Sequence, residues 1–286
     1  MAKVLTSLIV KNFIPARKTL SRKGDNGKVL VLDGNYLYHG APILSSIAAL
    51  RTGTDLVYTC VPKINVMATR AYSPNLIVVP LVDVKLTRGS VQKLLGIIPK
   101  ELDSATIGMG LGIQDREAIK ILIRSLLDRA VMLSLDASCL VPEILPDIKD
   151  KKVVVTPHAG EFRRLFGELP PDNVKLRTRM VEKYAKENGV TILLKGPTDI
   201  VSDGNQTYLN PKNNAAMTVG GTGDVLSGVV AAMLAKNKNP VQAASAAVFV
   251  NGKSGYMAQK KYGLHIVATD LLDFIPSAMK PFDKVK

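Results

Sequence analysis

Val219-Gly220-Gly221-Thr222-Gly223-Asp224-Val225-Leu226-Ser227-Gly228 is the stretch on which the reading of this chain turns. Three glycines within four positions free the backbone to take positive φ and to bring its N–H groups close to a ligand. The residues that follow, 225–236, are apolar and small, as in a buried helix. A glycine-rich loop entering a helix seats anions, because the unpaired N–H groups and the positive end of the dipole point the same way. A carboxylate at the mouth of such a seat is out of place if binding is its only task. Asp224 then reads as a base facing a phosphate. The plainer reading is a helix cap after a tight turn, and this stretch alone leaves both open. The loop is not a P-loop, since no Gly-Lys-Ser/Thr follows. Nor is it a dinucleotide fingerprint, since Leu226 stands where the third glycine belongs.

On both sides of this loop the chain alternates between two periods. Short apolar runs at 28–33, 56–61, 76–82, 105–109, 131–136, 152–156 and 190–194 read as strands buried on both faces. Helical segments fall at 41–53, 63–71, 88–97, 115–128, 161–166, 174–188, 225–236, 241–260 and 269–279. Segments 199–202 and 206–209 flank Asp203-Gly204, a hairpin signal. The expected fold is α/β: a mostly parallel central sheet covered by helices on both faces, with a late antiparallel hairpin. No repeat, low-complexity tract or linker divides the chain, so one domain over 1–286 is expected.

Composition narrows the functional classes. At 47% hydrophobic and 22% charged, the 286 residues are those of an ordinary globular protein. Cys60 and Cys139 lie in apolar runs without paired spacing, which points to a reducing cytoplasm and away from a disulfide framework. No apolar run approaches the roughly 18 residues of a membrane span. The first 24 residues are basic and free of acids, like a transit peptide, but lead without a break into Gly24-Asp25-Asn26-Gly27 and a strand. They read as a first helix ended near Pro15 and a basic segment. The net charge of +14 fits either nucleic-acid binding or a field that concentrates a polyanionic small substrate. Scattered cations and few aromatics favour the second, and no nucleic-acid partner is expected.

In a parallel sheet, ligands collect beyond the carboxyl ends of the strands. The polar and glycine-rich segments all fall there: Gly34-Asn35, 108–112, 156–161, Lys195-Gly196 and the loop before Asp224. This clustering is the residue-level reason to expect an enzyme. Thr156-Pro157-His158-Ala159-Gly160-Glu161 carries a His able to touch a substrate and a Glu able to hold Mg²⁺, directly or through water; a helix cap beside a solvated His is the alternative. Lys195 is either a phosphate contact or part of a surface turn. Asp33 and Asp136 each end a strand. Zinc is not expected, because His39, His158 and His265 have no metal-ligand spacing.

Gly221-Thr222-Gly223-Asp224 matches the Gly-x-Gly-Asp hallmark of the ribokinase-like superfamily. Further motifs resemble the ADP/ATP-dependent NAD(P)H-hydrate dehydratases: Lys23-Gly24-Asp25-Asn26-Gly27, Tyr38-His39-Gly40-Ala41-Pro42, Ala48-Ala49-Leu50-Arg51-Thr52-Gly53, Gly108-Met109-Gly110-Leu111-Gly112, Thr156-Pro157-His158-Ala159-Gly160-Glu161 and Met217-Thr218-Val219-Gly220. Vitamin kinases of the superfamily typically carry Asn where His158 stands. The chain departs from the pattern at Arg22 and Asn251, each in place of a His, and at Asn213-Asn214-Ala215-Ala216.

The resemblance implies ADP-dependent dehydration of the (6S)-hydrate of NADH or NADPH, with AMP and phosphate released. It implies Asp224 as the catalytic base and Gly221, Thr222 and Gly223 as the phosphate loop. Lys195, Gly196, Pro197, Thr198, Asp199 and Gly223 would meet the nucleotide. Ala41, Gly110, Gly112, His158 and Asp224 would meet the hydrate. Mg²⁺ and ADP (or ATP) are the implied cofactor and co-substrate, and Glu161 the metal contact through water. A cytoplasmic homo-oligomer and a separate epimerase protein complete the expectation. A thiazole or hydroxymethylpyrimidine kinase, and a non-catalytic nucleotide or nucleic-acid binder, are the alternatives.

Overall fold

The structure, a computed structural model, describes residues 2–83, 85–113, 115–211 and 214–286, so Asn213 lies outside the described residues. In chain order the strands and helices are β1 (Lys3–Val4), α1 (Ser7–Phe13), β2 (Lys28–Leu32), α2 (Gly40–Arg51), β3 (Leu56–Pro62), α3 (Val66–Tyr72), β4 (Ile77–Leu81), α4 (Arg88–Ile97), β5 (Ser104–Ile107), α5 (Arg116–Asp128), β6 (Met132–Leu135), α6 (Leu145–Ile148), β7 (Val153–Val155), α7 (Ala159–Phe166), α8 (Val174–Asn188), β8 (Thr191–Leu194), β9 (Thr198–Ser202), β10 (Thr207–Pro211), α9 (Thr222–Lys236), α10 (Pro240–Tyr262) and α11 (Ala268–Met279). The strands form one sheet in the order β1-β10-β9-β8-β7-β6-β5-β2-β3-β4.

From β4 to β8 every neighbouring pair is parallel. Strand β9 then runs antiparallel to both β8 and β10, so the antiparallel part is a three-stranded meander wider than the expected hairpin. Strand β1 pairs parallel to β10 and was not anticipated, because two residues carry no readable period.

Alternation along each buried strand feeds two cores. In β2, Leu30 and Leu32 face the cluster built with α4, α5, α7 and α8, while Val29 and Val31 face α2 and α9. Helix α9 is buried along almost its whole length, because α2, α10 and α11 cover it on the side away from the sheet. That is why its sequence is apolar all round instead of amphipathic. The two helices α2 and α9 meet at Gly228, where an added Cβ would lie 2.0 Å from the carbonyl oxygen of Ser45. Ser45 Oγ in turn donates to the Asp224 carbonyl at 2.9 Å. Gly228→Ala should therefore destabilise the fold by about 3 kcal/mol, the upper part of the usual range for overpacking, and tilt the start of α9. A denaturant midpoint equal to wild type would contradict this contact.

The chain passes from β2 outward to β3 and β4 and resumes with β5 on the other side of β2. The carboxyl ends of β2 and β5 therefore flank a topological switch point, the place where open α/β sheets form a crevice.

Candidate active site

Helix α9 is preceded by its N-cap residue Gly221, which sits at φ 92° and offers no side chain to cap the helix. A side chain there would be strained by that φ and would also collide with Ala268 and Leu44. Among the described residues no protein acceptor meets the N–H groups of Thr222, Gly223 and Asp224. Thr222 Oγ1 instead donates to the carbonyls of Met217 and Val219, both at 3.2 Å, tying the preceding turn to the helix. The result is a preformed nest of unpaired amides with nothing of the protein in it.

Two cavities meet at this nest. One, of about 730 Å³, is lined by His158, Lys195, Gly196, Pro197, Asn214, Met217, Thr222, Gly223 and Asn251, among others. The second, of about 670 Å³, is lined by Asn35, Tyr38, Ala41, Gly110, Asp136, Glu161, Arg164, Gly221 and Asp224, among others. Lys195 and Gly223 belong to both. Each cavity has the size of a small-molecule site.

Asp224 is half-buried on the wall of the second cavity, its Oδ2 4.0 Å from where a Gly221 side chain would begin. Burial first, then the charge of Asp136, push its carboxyl up to about 6 against the opposing pull of Lys195. A carboxylate in that range is ionised at neutral pH yet basic enough to take a proton.

Asp136 is the hub behind it. Its Oδ1 accepts from Lys195 Nζ at 2.8 Å and from the Ala137 N–H at 2.8 Å, and its Oδ2 accepts from Ser227 Oγ at 2.8 Å. Lys195 also lies 3.6 Å from Glu161 Oε2. Burial acts to lower the lysine pKa, but Asp136 and Glu161 outweigh it and the net direction is up, so the ammonium stays charged. Asp33, fully buried at the end of β2, has one oxygen bound by the Gly34 N–H at 2.7 Å and the other without a protein partner. Burial, then the charge of Asp224, hold its carboxyl well above the usual range.

The structure separates the expected contacts. Lys195, Gly196 and Pro197 line the first cavity, while Thr198 and Asp199 do not. Asp199 is fully buried and accepts from the Gly196 N–H at 3.1 Å and from Asn210 Nδ2 at 3.3 Å, so it shapes the turn from behind. Ala41 and Gly110 line the second cavity, Gly110 packed directly beneath Tyr38. Gly112 lies nearby against Lys85 and Asn35. His158, expected on the hydrate side, lines the first cavity and caps α7. Its Nδ1 accepts from the Gly160 and Glu161 N–H groups, leaving Nε2 to carry the proton of the neutral ring, 3.5 Å from Glu161 Oε1. Glu161 closes the capping box through its Oε2, which accepts from the His158 N–H at 2.9 Å. Arg164 is missed in the sequence; Asp136 is read there only as a strand-ending acid, Asn214 only as a departure and Met217 only as part of a motif, and no site role is given to any of them. Asn251, noted only as a departure, lies on the first cavity as well, and both Asn214 and Asn251 keep a buried amide atom without a protein partner.

A parallel sheet with its crevice at a switch point, an open amide nest at the start of a buried helix and a carboxylate beside it define a phosphoryl-handling α/β protein of the ribokinase-like class. The family model for NAD(P)H-hydrate dehydratase matches residues 29–277. The chain belongs to that family. It is 64% identical over 283 residues to the ADP-dependent (S)-NAD(P)H-hydrate dehydratase of Nitrosopumilus maritimus, covering 99% of each chain. It is 61% identical over 277 residues to the enzyme of the same name from Cenarchaeum symbiosum, covering 97% of this chain and 96% of that one. The crystal structure of a Bacillus subtilis ADP/ATP-dependent NAD(P)H-hydrate dehydratase, co-crystallised with ATP and Mg²⁺, superposes with a TM-score of 0.85 at 26% identity and 99% coverage of both chains.

Proposed function

We propose that this chain uses ADP to dehydrate the (6S)-hydrate of NADH or NADPH, releasing AMP, phosphate and the reduced coenzyme. The observation that carries this reading is Asp224 on the wall of the second cavity, which shares Lys195 and Gly223 with the first. The first cavity takes the nucleotide and the second the hydrate, so the terminal phosphoryl of ADP meets the hydrate hydroxyl at the amide nest. Asp224 accepts the hydroxyl proton as the oxygen attacks phosphorus, and AMP leaves. The N–H groups of Thr222, Gly223 and Asp224, with the dipole of α9, stabilise the charge on the transferring group. Phosphate is a far better leaving group than hydroxide. The ring nitrogen lone pair expels it, and loss of a ring proton then restores the double bond.

Glu161 lines the second cavity 3.6 Å from Lys195 and would be the protein contact to Mg²⁺ through water, with phosphate oxygens as the other donors. When bound there, Mg²⁺ supplies neutralising charge to the phosphates. Among the described residues no helix is long and apolar enough to cross a membrane. A cytoplasmic homo-oligomer belongs to the same proposal.

Incubating the protein with Mg²⁺, ADP and NADH hydrate should restore the reduced-nicotinamide absorbance, with ATP run in parallel. A phosphate ester that accumulates without loss of its oxygen would point instead to a small-molecule kinase. The acid limb of the kcat/KM profile should lie near pH 6, where Asp224 gains its proton, and fall about tenfold per unit below that. A profile flat down to pH 5 would remove Asp224 from the role of base.

A further inference from the structure

We infer that Arg164 forms a phosphate-binding subsite on the hydrate side, gripping the pyrophosphate of the dinucleotide; the inference rests on the dehydratase reading of that cavity. Of the described residues lining the cavity only Lys195 and Arg164 are cationic, while Asp136, Glu161 and Asp224 are acids. Lys195 is committed to Asp136 at 2.8 Å. No ion pair among the described residues engages Arg164, so it is the cation left for a ligand that carries two phosphates.

Its guanidinium is held in place before any ligand arrives. Arg164 Nε donates to the Leu140 carbonyl at 2.8 Å, and Nη2 donates to the Ala137 carbonyl. Ala137 sits at φ 45°, a left-handed conformation that costs a non-glycine residue energy, and its N–H is fixed by Asp136. Lys195, Asp136, Ala137 and Arg164 thus form a continuous chain of contacts from the nucleotide side to the hydrate side. Among the described residues Nη1 makes no hydrogen bond to protein, and the side chain is exposed at the cavity edge. With Nε and Nη2 anchored, Nη1 is left to donate a charge-assisted bond to a phosphate oxygen.

The test compares wild type, Arg164→Gln and Arg164→Lys on two ligands. For NADH hydrate, Arg164→Gln should raise KM about 10- to 100-fold, the usual scale for a lost charge-assisted contact, with kcat and the KM for ADP changed by no more than about twofold. The dissociation constant for NADH itself should rise by the same factor, and Arg164→Lys should recover part of it. The hydrate of phosphate-free reduced nicotinamide riboside should show the same kcat/KM with wild type and with Arg164→Gln. An unchanged NADH dissociation constant, or an equal penalty on the riboside hydrate, would overturn the assignment. The binding arm is independent of turnover: if wild type converts no hydrate yet Arg164→Gln weakens NADH as expected, the dehydratase reading falls and the subsite stands.

Discussion

Asp224→Ala is expected to lose turnover by a factor of about 10² or more while still binding ADP, because the carboxylate is the proton acceptor and the amide nest is built from backbone. Asp224→Asn supplies the control for folding. The folded protein holds this carboxyl at about 6, above its ordinary value of 3.8, so the native state binds more protons between those values and stability falls as pH rises through them. Removing the charge relieves that cost. Above pH 6 the asparagine variant should unfold at a denaturant concentration equal to or higher than wild type, although it is inactive. Loss of activity together with loss of stability would place Asp224 among the structural residues.

The second large effect is expected at Lys195. Its ammonium neutralises Asp136, whose side chain is only 3% exposed, and lies close to Glu161, whose side chain is 11% exposed. Lys195→Met keeps the length of the side chain but leaves Asp136 and Glu161 without the cation they share. Breaking a buried pair in this way costs about 3–5 kcal/mol. Combining Lys195→Met with Asp136→Asn should recover part of the loss, as urea midpoints with unchanged slope would report. A single variant as stable as wild type would show that the pair contributes nothing to the fold.

Parts of this site were open to reading along the chain because their signals are local. The glycines before Asp224, the apolar helix behind them and the strand-ending polar segments lie within a few residues of one another, and backbone conformation responds to that range. The His158 and Glu161 pair was also visible as a pair, yet its geometry was not. Spacing admits both a cap and a ligand contact, and only the folded turn shows His158 Nδ1 receiving two N–H groups while Glu161 closes the box. Arg164 went unnoticed because an arginine near the end of an amphipathic helix is, on spacing alone, an ordinary solvated residue.

Asp136 shows the limit most clearly. In the chain it is one of several acids that end a strand. In the fold it joins Lys195, 59 residues away, to Ser227, 91 residues away. The order of strands and helices follows from period-two and period-3.6 patterns, which are written into neighbouring residues. The strand order that brings β6, β8 and the start of α9 together is set by which faces bury which, a property of the whole sheet. Charges that meet across such distances shift one another's protonation only once water is excluded between them. The basicity of Asp224 and the burial of Lys195 thus arise on folding, while the motifs that place them at strand and helix ends are already present in the chain.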